Sequence, residues 1–147
     1  MIITAHLQHL DELTLLFDAY RQFYDKPSDI DAAKSFLTDR MENQESVIYC
    51  SVNEENQITG FVQLYPLFSS TRLKRFWILN DLFVLPQFRG NGYSKALIEE
   101  AKNLCKQTNA CGMLLETSKE NQIGNQLYPE TGFIRRDDAN FYEWEIQ

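Results

Sequence analysis

The loop at residues 87–92, Q-F-R-G-N-G, is the segment whose residue types and spacing most clearly suggest chemistry. It lies between an apolar run that predicts a strand and an amphipathic run that predicts a helix. Its two glycines let the backbone turn sharply and approach a ligand closely, because they carry no Cβ. The following helix presents unpaired N–H groups and the positive end of its dipole, so the arrangement predicts a phosphate site. Arg89, Ser94 and Lys95 are expected to add positive charge and a hydroxyl donor.

Two well-known phosphate loops do not fit this segment. The dinucleotide fingerprint requires a third glycine three residues after Gly92, where the sequence has Lys95. The P-loop pattern G-x-x-x-x-G-K-[ST] does not occur in the chain. An ordinary strand-to-helix turn is the remaining alternative to a phosphate loop.

The stretch at residues 84–92, V-L-P-Q-F-R-G-N-G, closely resembles the coenzyme A pyrophosphate loop of the GNAT superfamily of N-acetyltransferases. That family's pattern is Q or R, two residues, G, one residue, then G or A. Many members have a third glycine where this chain has Ser94. The resemblance implies acetyl-CoA as acetyl donor and no metal. It also implies that the donor is bound by Leu82, Phe83, Val84, Gln87, Phe88, Arg89, Gly90, Asn91, Gly92, Tyr93, Ser94, Lys95, Asn121 and Tyr128.

A second segment, residues 121–133, is similar to the family's N-x-x-A-x-x-L-Y-x-x-x-G-F motif, with Gly124 in place of alanine. By that resemblance Tyr128 is the general acid, and Asn121 contacts the pantetheine arm. The chemistry needs such an acid, because the leaving thiolate has a conjugate pKa of roughly 8.5 and a phenol of pKa about 10 can protonate it. The structural alternatives are a core aromatic ring for Tyr128 and a helix N-cap for Asn121.

Three polar residues near the expected site, Asn80, Asp81 and Glu116, could help to remove the proton from the amine, and Asn80 and Asp81 are the main candidates. Adjacent strand residues face opposite sides, so both side chains reach one cleft only if the strand carries a bulge, which the family often has here. The strand resembles that of polyamine acetyltransferases, which commonly carry glutamate where this chain has Asn80. Asparagine cannot accept a proton as a base but can hold a water, so Asp81 or a water chain is expected to serve.

The charge pattern points in two directions for the acceptor. The formal net charge of −7 suits a cationic amine and argues against nucleic-acid binding. The loop at residues 65–75, however, carries Arg72, Lys74 and Arg75, which would favour an acidic group. The first two helices, with Tyr20 and Tyr24, are expected to form the opposite wall of the acceptor site.

The activity implied is direct transfer of an acetyl group to an amine in a ternary complex. A small-molecule amine is preferred over a protein acceptor, and a non-catalytic acyl-CoA-binding or sensory module is a further alternative. Family analogy implies a homodimer. The chain shows no secretory signal, no membrane-spanning apolar run and no Cys-x-x-Cys pair among its 3 cysteines, so a cytoplasmic protein without membrane partners is expected.

The order of elements predicts an α/β fold in one domain over residues 1–147, with a central mixed sheet of about seven strands and about four helices. Strands are predicted at residues 1–4, 47–52, 58–65, 76–84, 112–117, 133–136 and 141–146. The last two form a terminal hairpin. Helices are predicted over residues 10–24, 93–108 and 121–129, and another opens with a capping box formed by Ser28 and Asp31. The long apolar run to Val84 indicates a strand at the centre of the sheet.

Overall fold

The computed structural model describes all residues, 1–147, and they fall into two compact units, residues 1–116 and 117–147. The first unit contains one sheet in the order β1-β2-β3-β4-β5 and three α-helices. Its strands are β1 (Ile2–Thr4), β2 (Val47–Val52), β3 (Ile58–Ser69), β4 (Lys74–Val84) and β5 (Met113–Leu114). The α-helices are α1 (Leu10–Phe23), α2 (Ile30–Glu42), α3 (Tyr93–Gln107) and, in the second unit, α4 (Gln122–Glu130).

The sheet is mixed, as the sequence predicts. Strands β1 to β4 pair antiparallel, and β5 joins the far edge of β4 in parallel. β4 therefore lies inside the sheet, which confirms the central position predicted from its apolar run. The α/β class and the four α-helices are also confirmed. No helix is long and apolar enough to cross a membrane.

Helices cover both faces of β3, which explains why nearly the whole strand is apolar. Phe61 belongs to the core formed with Leu13 and Leu37 of α1 and α2. Val62, the next residue, points to the opposite face, where α3 packs, and both side chains are fully buried. Gly60 permits the close approach of β4, because a Cβ there would lie 2.6 Å from the Phe83 carbonyl oxygen.

Two predicted local features are wrong. The N-cap of α2 is Asp29, whose carboxylate accepts a hydrogen bond from the Ala32 N–H at 3.0 Å. Ser28, predicted as the cap, instead donates its hydroxyl to Asp18 at 2.7 Å. The sheet has five strands rather than seven, because residues 133–147 contain no strand.

The missing terminal hairpin has a physical reason. An alternating apolar pattern indicates a strand only where another strand pairs its backbone and a core covers its apolar side. The apolar side chains of this segment remain exposed, and its arginines pair with aspartates two residues away. The exposed side chains are Ile134, Phe141, Tyr142, Trp144 and Ile146.

Asp18 ties the end of α1 to the start of α2. Its buried carboxylate accepts hydrogen bonds from the Ser28 hydroxyl at 2.7 Å, the Asp29 N–H at 2.8 Å and the Gln22 amide at 2.9 Å. Burial alone raises the pKa of Asp18, but these hydrogen bonds and nearby Arg21 outweigh it and leave the pKa below its ordinary value. The ionised form is therefore the one that stabilises the fold.

Asp18→Asn should lower the free energy of unfolding by about 2–3 kcal/mol at pH 7, since an amide replaces a charged acceptor that faces three donors. Because the pKa is lowered in the folded state, the stabilisation exists above about pH 4 and disappears as the pH falls through the folded pKa. Urea unfolding at pH 7 and pH 3 measures this. Asp39→Asn, a change of an exposed aspartate on α2, is the control. An equal loss at both pH values would contradict the assigned role.

Candidate active site

A bulge in β4 brings Asn80 and Asp81 to one side of the sheet. Gln63 of β3 pairs with Asp81, and Leu64 pairs with Leu79, so Asn80 has no partner across the ladder. The extra residue breaks the alternation of side chains at this point. Asn80 and Asp81 consequently line the same cavity. Both side chains can therefore take part in one site, which the sequence predicts only for a bulged strand.

The cavity has a volume of about 460 Å³ and lies between α1, α2 and the bulged pair of strands, all in the first unit. This volume falls within the range of small-molecule sites. Most of its lining is aromatic or apolar, and three lining residues carry charge. The lining residues are Phe17, Tyr20, Arg21, Tyr24, Lys26, Ala32, Ala33, Phe36, Tyr65, Asn80 and Asp81.

Asp81 is the buried carboxylate of this cavity, with 4% of the residue exposed. One carboxylate oxygen accepts a hydrogen bond from the Gln63 amide at 2.7 Å, and the other accepts from the Asn80 amide at 3.0 Å. Burial raises the pKa of Asp81 above its ordinary value, although hydrogen bonds from Gln63, Tyr20 and Asn80 oppose the rise. A carboxyl group with a raised pKa is a better proton acceptor than an ordinary aspartate.

Gln63 can hydrogen-bond to Asp81 in either protonation state of the carboxyl group. Its side chain is fully buried, its Nε2 donates to Asp81, and its Oε1 has no hydrogen-bond partner. An amide offers a donor and an acceptor on one planar group. Rotation of this amide would let Oε1 accept a hydrogen bond from a protonated Asp81, so the pair can hold either state of the carboxyl group.

Tyr20 connects α1 to the bulge. Its hydroxyl hydrogen-bonds to the Asp81 side chain and approaches the Asn80 carbonyl oxygen at 3.5 Å. Its ring packs edge-on against Tyr24, Phe61 and Phe83, with ring centroids 5.1–6.1 Å apart. Tyr20 and Tyr24 of α1 therefore line the cavity opposite the bulged strands, and their place in an acceptor site stays a prediction.

The glycine loop is open and braced by its own side chains. Gly90 and Gly92 both have φ of +80°, and a Cβ at either position would meet no atom within 4 Å. The Asn91 amide donates to the carbonyl oxygens of Phe88 and Arg89 at 3.0 and 3.3 Å. Arg89 donates through Nε to the Val84 carbonyl oxygen at 3.0 Å, so it fixes the loop to the end of β4.

The loop opens onto the start of α3, where the chain offers unpaired donors. The Ala96 N–H donates to the Gly92 carbonyl oxygen at 3.1 Å and begins the helical pattern. The N–H groups of Gly92, Tyr93 and Ser94 precede it and have no acceptor within the helix. No side chain caps this end. Open space above two glycines and a set of N–H donors fit a phosphate group.

The edge of β4 beside the loop is also available to a ligand. β5 pairs with β4 only at Trp77 and Ile78. Residues 82–84, which the resemblance assigns to the donor, pair with β3 on their other side. Their outward backbone groups therefore have no strand partner in the sheet, apart from the Val84 carbonyl oxygen that Arg89 contacts.

In the second unit, Asn121 and Tyr128 lie at the start and near the end of α4. The Asn121 side chain accepts from the Gly124 N–H at 3.0 Å and donates to the Thr117 hydroxyl at 2.9 Å, so its structural role as N-cap is confirmed. Tyr128 packs edge-on against Phe133 at 5.8 Å. A Cβ at position 124 would lie 2.6 Å from the Asn121 amide nitrogen, so an alanine there requires the Asn121 side chain to shift.

The remaining charged candidates lie outside the cavity. Arg75 stacks over Phe68 and Trp77, and Arg72 stacks over Phe76. Lys74 donates to the side-chain oxygen of Asn109 at 3.1 Å. Within residues 65–75, only Tyr65 lines the cavity. No group of three or more His, Cys, Asp and Glu side chains is arranged to hold a metal ion.

Comparison with known proteins decides the family. The model of the acetyltransferase (GNAT) family matches residues 11–133, most of the chain. This chain belongs to the GNAT acetyltransferase family. It is 41% identical over 129 residues to the uncharacterized N-acetyltransferase YhfO of Bacillus subtilis, a match that covers 88% of this chain and 85% of that one. GNAT proteins are acyltransferases, so this chain is an enzyme of that class.

Solved GNAT structures agree with the observed fold. The crystal structure of a probable acetyltransferase shares 38% identity, with a TM-score of 0.95 over 100% of this chain and 98% of that one. The aminoglycoside N-acetyltransferase AAC(6')-Iy, solved in complex with CoA, has a TM-score of 0.82. It covers 99% of this chain and 95% of its own at 20% identity, and therefore shows the shared fold alone.

Sequence reasoning about this GNAT chain missed Gln63, which donates to Asp81, and Lys26, which lines the cavity. Gln63 carried a usable signal, because it is a polar residue inside the apolar run F-V-Q-L. Tyr65 belongs to the segment 65–75 that the sequence predicts beside the cleft, and it is the residue of that segment that lines the cavity.

Proposed function

We propose that this GNAT chain is an acetyl-CoA-dependent N-acetyltransferase that acetylates a small primary amine by direct transfer in a ternary complex. The observation that carries the proposal is the bulge in β4. It sets a buried carboxylate of raised pKa on the wall of a cavity sized for a small molecule. A primary amine has a pKa of roughly 10.4 and must lose a proton before it can attack a carbonyl, so such a site needs a proton acceptor.

The donor side of the proposal rests on the loop between β4 and α3. Its open glycines and unpaired N–H groups fit the pyrophosphate of coenzyme A, and the free edge of β4 at residues 82–84 suits the amides of the pantetheine arm. Asn121 is proposed to contact the same arm while its side chain also caps α4. The AAC(6')-Iy structure with CoA supports this choice of cofactor by analogy of fold.

Acetyl-CoA, when bound, supplies a thioester whose carbon–sulfur bond is exchanged for a carbon–nitrogen bond to the amine. Asp81 takes the proton of the ammonium group, directly or through a water held by Asn80. Gln63 and Tyr20 keep the carboxyl group oriented in both protonation states. A backbone N–H of residues 82–84 stabilises the oxyanion, and Tyr128 gives a proton to the departing sulfur. The nitrogen loses its second proton as the carbon–sulfur bond breaks, and this proton restores the Tyr128 phenol through water, while Asp81 releases its own proton to solvent. The products are an N-acetylated amine and a free thiol.

Two other properties stay predictions. The homodimer rests on family analogy, and the cytoplasmic location rests on three cysteines that form no disulfide. Exposed apolar side chains at the end of the chain are compatible with a contact surface. The net charge of −7 supports the expectation that nucleic acid is no partner.

Titration calorimetry with acetyl-CoA, with NADH as a control, tests the proposed function first. Micromolar binding of acetyl-CoA alone supports the cofactor and justifies a screen of amines by release of free thiol. If acetyl-CoA does not bind, the loop at residues 87–92 is a structural turn, and the proposed enzymatic activity is contradicted.

Gly92→Trp should weaken acetyl-CoA binding by at least about thirtyfold, because an indole ring would fill the open space at the start of α3. The backbone at φ +80° adds a strain of about 1–2 kcal/mol, which leaves the fold intact. Gly92→Ala carries the same strain without the bulk, and the family pattern allows alanine there. Normal binding by the tryptophan variant, or equal loss in both variants, would contradict the phosphate assignment.

A further inference from the structure

We propose that the cavity selects primary amines that carry an anionic group at their far end, and that Lys26 recognises this group. The inference rests on the proposed function of the same cavity and names its substrate class. It also opposes the simple expectation that an acidic protein of net charge −7 takes a polycationic amine.

The charges that line the cavity carry this inference. They are Arg21, Lys26 and Asp81. Asp81 is the one carboxylate on the wall, and the proposed reaction uses it for the attacking amine. Arg21 is already engaged, because its guanidinium lies 3.7 Å from the Asp18 carboxylate and donates to the Pro27 carbonyl oxygen at 3.4 Å.

Lys26 is the cation of this lining whose charge is not paired within the chain. It is exposed, and the ion pairs and side-chain hydrogen bonds of the structure do not include it. Neighbouring carboxylates at Asp25, Asp29 and Asp31 do not line the cavity. A ligand in the cavity therefore meets one carboxylate beside the bulge and one unpaired ammonium group from the turn between α1 and α2.

This arrangement discriminates between classes of amine. A diamine places one ammonium group against Asp81, and its second charge then has no carboxylate and faces Lys26. An amine with a terminal carboxylate satisfies both charges. The whole-chain charge acts over longer distances and is screened within about 8 Å at physiological ionic strength, so the local groups decide.

Aromatic rings of the cavity wall select the part of the ligand that lies between its amine and its anionic group. Phe17 and Phe36 stack in parallel with centroids 5.7 Å apart, and Tyr20 meets Tyr24 edge-on at 5.1 Å. Tyr65 adds a half-buried ring on the strand side. Flat apolar walls favour a ring or short alkyl spacer between the amine and the anion. The substrate class is therefore a compact amino acid whose amine and carboxylate are separated by an apolar spacer.

Three amines built on one ring provide the test: 4-(aminomethyl)benzoate, benzylamine and 1,4-bis(aminomethyl)benzene. They differ in the charge opposite the reacting amine, which is negative, absent or positive. The wild-type protein should show kcat/KM at least about tenfold higher for the benzoate than for the diamine, after correction for two equivalent amines. A flexible pair, 6-aminohexanoate and 1,6-diaminohexane, repeats the comparison without fixing the distance between the reacting amine and the charge at the far end.

Lys26→Glu should abolish or invert the preference for the carboxylate over the diamine, because position 26 at the cavity then carries a negative charge. Lys106→Glu makes the same charge change on an exposed lysine of α3 that does not line the cavity, and it should keep the wild-type preference. A wild-type preference for the diamines, or a preference that both variants retain, would overturn the inference while leaving acetyl transfer intact.

Binding measurements separate this inference from the proposed function. Calorimetry of the same five amines with the protein alone measures selection without any acetyl donor. Preferential binding of the carboxylates that Lys26→Glu removes, without turnover, would support the inference and count against acetyl transfer. Equal or absent binding of carboxylates and diamines, with equal turnover, would overturn the inference alone.

Discussion

Asp81→Asn should lower kcat/KM for amine acetylation by about a hundredfold or more and remove the acidic limb of its pH profile. The amide keeps the size and planarity of the carboxylate but cannot take a proton, and general-base catalysis typically contributes a factor of about 10²–10⁴. Burial raises the pKa of Asp81, so the wild-type limb should lie above the ordinary aspartate range. Initial rates between pH 5 and pH 9 measure both effects.

Stability should change in the opposite direction from activity in this variant. A carboxyl group whose pKa is raised on folding binds its proton more tightly in the folded chain, so its ionisation costs stability as the pH rises through the folded pKa. Asparagine removes that cost. Thermal unfolding at pH 8 should therefore show Asp81→Asn at least as stable as the wild type, and Asp39→Asn serves as a control for the amide exchange.

The combined result separates a base from a structural carboxylate. If Asp81 only supports the bulge through Gln63 and Asn80, its replacement lowers the unfolding temperature and leaves the acidic limb of the remaining activity in place. If activity falls but the acidic limb of the pH profile is unchanged, another group, such as a water chain, must be the general base. Full activity would exclude Asp81 from the reaction.

The sequence predicts the local features of this fold because their causes are local. The glycines at positions 90 and 92, the stripe of α1 and the cap at Asn121 each depend on residues a few positions away. The helix starting at Tyr93 and strand β2 accordingly agree with the structure almost to the residue.

Features that depend on pairing between distant segments were less accessible. The sequence indicates that a bulge in this strand would turn Asn80 and Asp81 to the same side of the sheet. It does not locate the bulge, because the register of β4 against Gln63 and Leu64 defines its position. The same limitation explains the wrong terminal hairpin and the short β5. Both depend on whether a neighbouring strand is in place, which an alternating pattern cannot reveal.

The buried polar group at the bulge is the clearest conflict between stability and function in the chain. Gln63 leaves Oε1 unpaired and Asp81 is buried with a raised pKa, although apolar residues at both positions would satisfy the core. Costs of this kind concentrate at functional sites. These costs favour the proposed role of the bulge as the chemical centre of the first unit, independently of the family.

Tyr128→Phe should lower kcat by about a hundredfold and change KM for the amine little. The phenol is proposed to protonate the leaving sulfur, an interaction that exists only as the bond breaks, so its loss affects the chemical step rather than binding. Phenylalanine keeps the edge-on packing against Phe133 and the fit over Gly124, so α4 should remain folded. Steady-state rates with saturating acetyl-CoA measure the two parameters separately.

Tyr142→Phe provides the matched control, because that tyrosine belongs to the same unit and is 91% exposed. The same loss of one hydroxyl there should leave kcat unchanged. A structural role for the Tyr128 hydroxyl predicts instead that the phenylalanine variant loses stability and keeps kcat. Wild-type kcat in Tyr128→Phe would therefore remove the general acid from the mechanism. A loss of activity with an unchanged unfolding temperature supports proton donation by the hydroxyl.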